Sequence, residues 1–331
     1  MPPLRARNLI LFGLGAILPG PAAWSQSPWV WQGEAWADPR PFLSPVTAEV
    51  KANLQVIALS GMGQNRILGR MGEFGDSITY SMAFFHGTIL FGPDSNETGH
   101  DYDPIRSWVA YSGTQPADGF SFYRDHGKDV PYGNFSGWVI LDAVASGHPT
   151  QAVETGDGVT PGAFSWALVM FGTNDIDPPG WDPTVWHVDL VDFADAIADL
   201  GVIPVLSTIP PEVAHIGDMR VEIANRQIRE VADELAIPYV DYYRLILHYQ
   251  PVDWFGTLIG PDGTHPSAGG GGRDFSQDGL TTTDGYAART KQAFDMAEKL
   301  RAIVFEDGEP EPMFADDFES GHTDSWFSDT P

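Results

Sequence analysis

The chain of 331 residues contains no cysteine, which excludes disulfide bonds, thiolate metal sites and a cysteine nucleophile. Basic residues are also few, because 18 lysines and arginines stand against 45 aspartates and glutamates and leave a net charge of −27. That balance argues against nucleic acid as a partner, since phosphate binding requires a surface rich in lysine and arginine. It also argues against polybasic docking on anionic lipid.

Long hydrophobic runs are absent as well. The apolar run Leu9–Leu18 has only ten residues, well short of the ~20 that span a bilayer. Arg5 and Arg7 precede this run, Gly20-Pro21 end it, and Ala23-Trp24-Ser25 offers small residues for cleavage near Ser25. This is the arrangement of a secretory signal peptide. The sequence therefore predicts a secreted or periplasmic protein whose mature chain has no transmembrane anchor.

Changes in composition divide the chain into four segments. Residues 1–25 are the predicted signal peptide, and removing its two arginines from a net charge of −27 leaves about −29. Residues 26–65 form an arm rich in tryptophan and proline, whose tryptophans are expected to fasten it to the domain rather than to stack on sugars. Residues 66–305 form the regular domain. Residues 306–331 are acidic and lack periodicity, which predicts a flexible tail, although Phe314–Gly321 also looks like the opening of a jelly-roll module.

Strand-like and helix-like patterns alternate in the regular domain. Phe164–Phe171 is a short apolar run typical of a strand buried on both faces, and Trp186–Leu200 follows it with apolar residues at helical spacing. The same succession returns as strand Val202–Leu206, helix Met219–Leu235 and strand Ile237–Val240. This alternation predicts an α/β fold with a parallel sheet covered on both faces.

Three polar blocks stand out against this pattern: Phe74–Thr79, Phe171–Asp175 and Asp262–Pro266. The first two follow predicted strands and the third lies in a late loop. Sites in an open parallel sheet form outside the carboxyl ends of its strands. We therefore expect the three blocks to meet in one crevice.

The residue types in these blocks suit nucleophilic catalysis. The hydroxyl of Ser77 becomes a nucleophile once a base takes its proton, and His265 can be that base. Asp262, three residues earlier, can orient the imidazole and stabilise its charged form. Attack on an acyl carbonyl creates an oxyanion that needs fixed donors, which Asn174 can supply from its amide and Ser77 from its backbone N–H.

The same blocks resemble those of the SGNH/GDSL hydrolase superfamily. Gly75-Asp76-Ser77 matches the nucleophile block of that family, Gly172–Asp175 its Gly-x-Asn-Asp block, and Asp262–His265 its Asp-x-x-His block. The resemblance spans about residues 66–304. It implies a flavodoxin-like three-layer α/β/α sandwich with about five parallel strands. It also implies hydrolysis of carboxylic esters without a metal or other cofactor.

Four residues around the principal ones are predicted to support them. Gly75 and Gly172 permit the tight turns that such a site needs, while Asp76 and Asp175 are expected to orient loops through hydrogen bonds.

The glycine block of the family is less clear. Asn134–Trp138 resembles the Asn-x-x-x-Gly pattern shortened by one residue, so Gly137 is the predicted third oxyanion donor, with Gly133 and Gly113 as alternatives. The strand before Ser77 also departs from the family pattern. It carries Arg70 and Glu73, which predicts a short or edge-exposed strand.

Several other functions compete with that of an esterase. An α/β-hydrolase needs a Gly-x-Ser-x-Gly elbow, which no serine here has, and the histidines lack the ligand spacing of a metallophosphoesterase, so no metal is predicted. A lipase, a lysophospholipase or an acyltransferase would use the same residues, and an inactive carbohydrate-binding protein could share the fold. The strong negative charge favours a neutral small-molecule or carbohydrate-linked ester, such as an O-acetylated sugar, over an anionic polymer.

Overall fold

The computed structural model describes residues 29–81, 83–110, 134–147, 153, 164–308 and 310–311. The predicted signal peptide lies outside the described residues, as do Gly113, Gly133 and the predicted tail beyond residue 311. Among the described residues, no helix is both long and apolar enough to cross a membrane.

A parallel sheet forms the centre of the domain. The strands that the structure describes are β1 (Met71–Gly75), β2 (Ser95–Asn96), β3 (Trp166–Met170), β4 (Ile203–Ser207), β5 (Tyr239–Val240) and β6 (Asp274–Phe275). Four of them form the central sheet in the order β1-β3-β4-β5, with every pairing parallel. The expectation of about five strands is therefore high by one over the described residues, because β2 and β6 pair with each other instead of extending this sheet.

Both faces of the central sheet are covered. Every residue of β1, β3 and β4 is buried, although successive side chains of a strand point to opposite faces. This confirms the predicted sandwich of helices on a parallel sheet. Strand β1 is short and lies at the edge of the described sheet, as its polar residues indicated, but Arg70 and Glu73 are buried rather than exposed to solvent.

The helices surround the sheet and alternate with its strands. The α-helices that the structure describes are α1 (Ala48–Gly63), α2 (Ser77–Tyr80), α3 (His86–Phe91), α4 (Asp103–Ala110), α5 (Ile140–Ser146), α6 (Pro183–Asp199), α7 (Arg220–Leu235), α8 (Tyr242–Tyr249) and α9 (Gly285–Leu300). The side chains of Thr47, Asp182 and Asp284 cap α1, α6 and α9 by accepting backbone N–H bonds. Helix α4 lies in the stretch 92–135, whose many glycines, aspartates, prolines and tyrosines predict long loops from the sequence alone.

Short 3₁₀ and π segments complete the secondary structure. The 3₁₀ turns are Ala35–Ala37, Arg40–Phe42 and Val213–His215, and the π turns are Gly279–Thr283 and Arg301–Phe305. The turn Val213–His215 follows β4 and lies near the carboxyl ends of the strands, where the predicted site residues gather.

The described part of the N-terminal arm packs on the domain. Trp29 is buried, and the ammonium of Lys299 lies 5.1 Å from its ring centroid. The described part of the predicted tail contacts the same arm and helix. The carboxylate of Glu311 forms an ion pair with Lys299 at 2.7 Å, and the backbone N–H of Glu311 donates to the carbonyl of Val46 at 2.9 Å. The arm and residues 310–311 therefore cover the same end of α9.

Candidate active site

Ser77 lies at a sharp turn from β1 into α2. The chain leaves the strand at Gly75, where an added Cβ would lie 2.5 Å from both the carbonyl oxygen of Met170 and the hydroxyl of Thr79. Only glycine fits so close an approach. Asp76 caps the short helix because its Oδ1 accepts the backbone N–H of Ile78 at 3.0 Å. The serine hydroxyl is thus held at the carboxyl edge of the sheet.

His265 contacts both Ser77 and Asp262. Its Nε2 lies 2.8 Å from the Ser77 Oγ, and its Nδ1 lies 2.8 Å from the Asp262 Oδ2. The three side chains therefore form a continuous hydrogen-bonded line, although Ser77 and His265 are 188 residues apart in sequence. The structure brings together the three residues that the sequence analysis nominated for nucleophile, base and orienting acid.

The loop that carries the histidine holds Asp262 ionised. The Asp262 Oδ1 accepts the backbone N–H of Thr264 and of His265, both at 3.0 Å. Partial burial opposes ionisation, but these two bonds and the His265 side chain outweigh it and lower the pKa of Asp262. An ionised carboxylate only accepts hydrogen bonds, so Nδ1 of His265 carries a proton and Nε2 is left to accept from the Ser77 hydroxyl.

Asn174 and its neighbours follow β3 on the adjacent part of the same edge. The Asn174 Nδ2 donates to the carbonyl of Trp138 at 3.1 Å. Asp175 fixes this turn, since its two carboxylate oxygens accept the backbone N–H groups of Gly172 and Ile140, both at 2.9 Å. Burial raises the pKa of Asp175 to about 6 against the opposing effect of these bonds. Asp175 therefore joins the turn after β3 to the start of α5.

The segment with the predicted glycine donor lies beside β1. The backbone N–H of Phe135 donates to the carbonyl of Gly75 at 3.1 Å, and the Asn134 side chain donates to the carbonyl of Glu73 at 2.9 Å. Gly137 is exposed and has a φ of +82°, a conformation that favours glycine. The segment is thus fastened to the strand end that carries Ser77, while the alternatives Gly133 and Gly113 lie outside the described residues.

A buried arginine, which was not predicted from the sequence, forms hydrogen bonds with the turn that carries Ser77. Arg289 of α9 donates to the carbonyl of Ile78 at 3.2 Å and to the hydroxyl of Thr79 at 3.0 Å. Its guanidinium lies 3.8 Å from the ring centroid of Phe84. Burial raises the pKa of Asp76 to about 6, although the Ile78 N–H and the Arg289 charge oppose the shift. In the sequence, a charged residue in a helix looks exposed to solvent, so nothing marks Arg289 as a buried neighbour of the site.

The glycine-rich stretch after His265 packs against the domain. Asp284 accepts backbone N–H bonds from Gly270 and Gly272, both at 2.9 Å. An added Cβ on Gly272 would lie only 1.6 Å from the carbonyl oxygen of Ala83, so this loop closely contacts the residues after α2. The stretch therefore packs against the segment that follows the turn of Ser77.

One group of side chains in the described part of the chain could hold a metal ion. Asp177, Glu212 and His215 each offer a ligand atom, and these atoms lie within 4.8 Å of one another. None of the three is a member of the Ser77–His265–Asp262 line. Sequence spacing pointed to no metal site because Asp177 comes from a different loop than Glu212 and His215.

One family of known proteins matches most of the regular domain of this chain. The sequence model of the GDSL-like Lipase/Acylhydrolase family matches residues 74–271. No curated protein matches the chain. Among solved structures, a variant of Axe2, an acetyl xylan esterase from Geobacillus stearothermophilus, is 18% identical with a TM-score of 0.40 over 73% of this chain and 96% of that one. A GDSL-like lipase from Bacteroides thetaiotaomicron is 14% identical with a TM-score of 0.39 over 78% and 99%.

Proposed function

The chain belongs to the GDSL-like lipase/acylhydrolase family, and from that premise we propose that it is a serine esterase with Ser77 as nucleophile. The observation that carries the proposal is the hydrogen-bonded line from the Ser77 Oγ through His265 to Asp262, with 2.8 Å at each contact. A serine hydroxyl within hydrogen-bond distance of an imidazole, itself oriented by a carboxylate, is the arrangement that activates the hydroxyl for acyl transfer.

The first half of the reaction forms an acyl-enzyme. Nε2 of His265 takes the proton of the Ser77 hydroxyl as Oγ attacks the ester carbonyl, and Asp262 stabilises the imidazolium through Nδ1. The tetrahedral oxyanion accepts hydrogen bonds from the Ser77 and Gly137 backbone N–H groups and from the Asn174 amide. The intermediate collapses when Nε2 returns its proton to the leaving alkoxide, which departs as the alcohol.

The second half reverses these steps with water. Nε2 of His265 takes a proton from a water molecule as the water oxygen attacks the acyl carbon on Ser77. Collapse of the second oxyanion breaks the bond to Oγ, which takes the proton back, and the acid is released. The same residues would transfer the acyl group to another acceptor, so product analysis separates a hydrolase from an acyltransferase.

The substrate that fits best is a neutral ester, with O-acetylated carbohydrate as the leading class. The net charge of −27 repels anionic polymers. The side chain of Phe255 is half exposed. It lies beside the loop that carries Asp262 and His265, since its ring is 3.7 Å from the position that a Cβ on Gly263 would take. An exposed ring beside the loop that carries His265 gives a sugar ring or a short acyl chain an apolar surface to lie on.

The test compares p-nitrophenyl acetate, butyrate, octanoate and palmitate as substrates for the wild type, Ser77→Ala and Ser60→Ala. Ser60 lies exposed on α1 and serves as a matched control. We expect Ser77→Ala to lose essentially all turnover and Ser60→Ala to keep it, with acetate preferred among the four esters. Turnover by pure Ser77→Ala at the wild-type rate would refute the assignment, and a preference for palmitate would favour a lipase.

Export is the remaining part of the proposal. Its support is the order of Arg5 and Arg7, the apolar run Leu9–Leu18 and the small residues Ala23-Trp24-Ser25. N-terminal sequencing of the protein recovered outside the cytoplasm should begin near residue 26, whereas recovery of an intact Met1 chain in the cytoplasm would contradict export.

A further inference from the structure

A second cluster of polar side chains lies beside the proposed catalytic loop. It consists of Asp177, in the loop after β3, and of Glu212 and His215, in the turn after β4. The His215 Nε2 is 3.1 Å from the Asp177 Oδ1 and 3.9 Å from the Glu212 Oε2. Two carboxylate oxygens therefore face one imidazole nitrogen from two different loops.

The other nitrogen of the ring already has a partner. The His215 Nδ1 lies 3.0 Å from the Asp218 Oδ2, and a proton on Nδ1 satisfies that contact. In the neutral ring, Nε2 then carries a lone pair directed toward Asp177 and Glu212. Three acceptors facing one another repel unless a positive centre lies between them. A carboxylate on the far ring nitrogen is also the usual device that fixes a metal-ligating histidine.

The burial of Glu212 indicates independently that a positive centre neutralises its carboxylate. Its side chain is only 2% exposed, and no described residue meets hydrogen-bond geometry with its Oε1, the nearby hydroxyl of Thr173 included. Its Oε2 lies 3.9 Å from His215, which is too far for a hydrogen bond. A buried carboxylate of this kind is costly unless a proton or a cation neutralises it.

We propose that Asp177, Glu212 and His215 bind one divalent transition-metal ion of the Zn²⁺ class, with Asp218 as the residue that orients His215. One imidazole and two carboxylates form a ligand set that suits Zn²⁺ and excludes a purely oxygen-bound Ca²⁺ site. Asp177 is 62% exposed at its side chain, so the ion can enter from solvent. Three protein ligands leave a further coordination position for water.

The bound ion would connect the loops that surround the candidate active site without taking part in the acyl transfer. The backbone N–H of Val213 donates to the carbonyl of Gly263 at 2.9 Å, so the turn with Glu212 and His215 rests on the loop between Asp262 and His265. Arg220 stabilises the loop that carries Asp177, since it donates to the carbonyls of Asp177 and Pro178, both at 3.2 Å. Metal binding therefore stabilises a contact that is present without it.

The test is calorimetric titration of Zn²⁺ into the untagged full chain after chelator treatment, with Ca²⁺ as a second titrant. The variants are Asp177→Asn, Glu212→Gln and Asp218→Asn. The control is His187→Asn, which removes a histidine bonded to Gln227 and Glu234 between two helices. Asp177 is exposed, so its variant is expected to fold even if a change at the buried Glu212 does not, and circular dichroism checks each.

We expect one Zn²⁺ per chain in the wild type and in His187→Asn. Asp177→Asn and Glu212→Gln should weaken binding at least about tenfold, and Asp218→Asn should weaken it ~10–100-fold, as the loss of an orienting partner does elsewhere. At a hundredfold excess over Kd, the ion should raise Tm by roughly 5 °C or more.

Three results of the titration would overturn the proposal. They are no binding at millimolar Zn²⁺, an affinity in all three variants equal to that of the wild type, or binding of Ca²⁺ in preference to Zn²⁺. A ¹⁵N spectrum with both His215 nitrogens protonated and unchanged by Zn²⁺ would show that a proton is the positive centre instead. None of these readouts depends on esterase activity, so the metal site and the proposed function fail or stand separately.

Discussion

The substitution Asp262→Asn tests how the aspartate sets the proton on His265. The Asp262 Oδ1 accepts two backbone N–H bonds, from Thr264 and His265, and Oδ2 faces Nδ1 of His265. An asparagine keeps those two backbone bonds only if its oxygen takes the Oδ1 position. Its NH₂ group then donates toward Nδ1, which must lose its proton. The proton moves to Nε2, so the ring can no longer accept the proton of Ser77.

The expected loss follows from this change of tautomer. A wrong tautomer in a geometrically intact triad lowers kcat by up to ~10⁴. The Asp262 side chain is 55% exposed, so water can partly compensate, and we expect a loss of ~10²–10⁴. That range corresponds to about 2.7–5.4 kcal/mol of transition-state stabilisation. Folding should change little, because the substitution preserves the shape and the acceptor of the loop.

The assay is kcat/KM for p-nitrophenyl acetate, measured on Asp262→Asn beside Asp253→Asn. Asp253 is an exposed acid of the preceding loop, and its substitution removes the same charge without touching His265. We expect the control to stay within a factor of two of the wild type. A loss smaller than tenfold in Asp262→Asn, with the fold intact, would refute the argument that this aspartate fixes the working tautomer.

Three further predictions concern neighbouring residues. Asn174→Ala should lower kcat by ~10²–10³ with a smaller change in KM, since the amide would donate a hydrogen bond to the oxyanion. Steady-state kinetics give both constants, and an effect on KM alone would contradict this prediction. Arg289→Met should lower the free energy of unfolding in urea by about 2–6 kcal/mol, because the buried carbonyl of Ile78 and hydroxyl of Thr79 each lose a hydrogen-bond donor, whereas the exposed Arg226→Met should cost under ~1 kcal/mol. Asp76 has a pKa of about 6 against 3.8, so its contribution to folding is present below about pH 4 and is lost as the pH rises through 6. Asp76→Asn, which still accepts the Ile78 bond, should therefore gain ~3 kcal/mol relative to the wild type between about pH 4 and pH 7 in urea unfolding; parallel pH profiles would refute it.

Local patterns were sufficient to predict the central sheet. Phe164–Phe171 and Val202–Leu206 are short apolar runs, and the structure contains β3 at Trp166–Met170 and β4 at Ile203–Ser207. The positions of Ser77 and Asn174 at the carboxyl edge of the sheet could be predicted because both residues follow strands. For the contacts between Ser77, Asp262 and His265, the sequence offered order and spacing, and the structure supplies the distances.

The burial of charged residues could not be predicted in the same way. Helix α9 carries Arg289, Lys291, Asp295 and Lys299, and all four are buried. In a sequence, such residues indicate a solvated helix face. The groups that cover them come from distant parts of the chain, as when Lys291 donates to the carbonyl of Ala37 at 2.7 Å. Lys291 also forms an ion pair with Asp295 at 2.7 Å, but in the sequence a pair four residues apart looks the same whether it is buried or exposed.

The cluster of Asp177, Glu212 and His215 could not be recognised in the sequence for a related reason. Glu212 and His215 are three positions apart, which is an ordinary spacing, and Asp177 follows a different strand. Only the parallel pairing of β3 with β4 brings their following loops side by side. A metal site assembled from neighbouring strand ends leaves no recognisable motif in one sequence.

Covalent labelling of Ser77 is the most direct test of the central claim, that His265 activates this serine. The full chain and His265→Ala are each treated with a fluorophosphonate, and the adduct is located by intact mass and peptide mapping. We predict a single adduct on Ser77 in the wild type and a rate at least about a hundredfold lower in His265→Ala. A folded wild-type chain that takes no adduct, or takes it on another residue, would contradict the account.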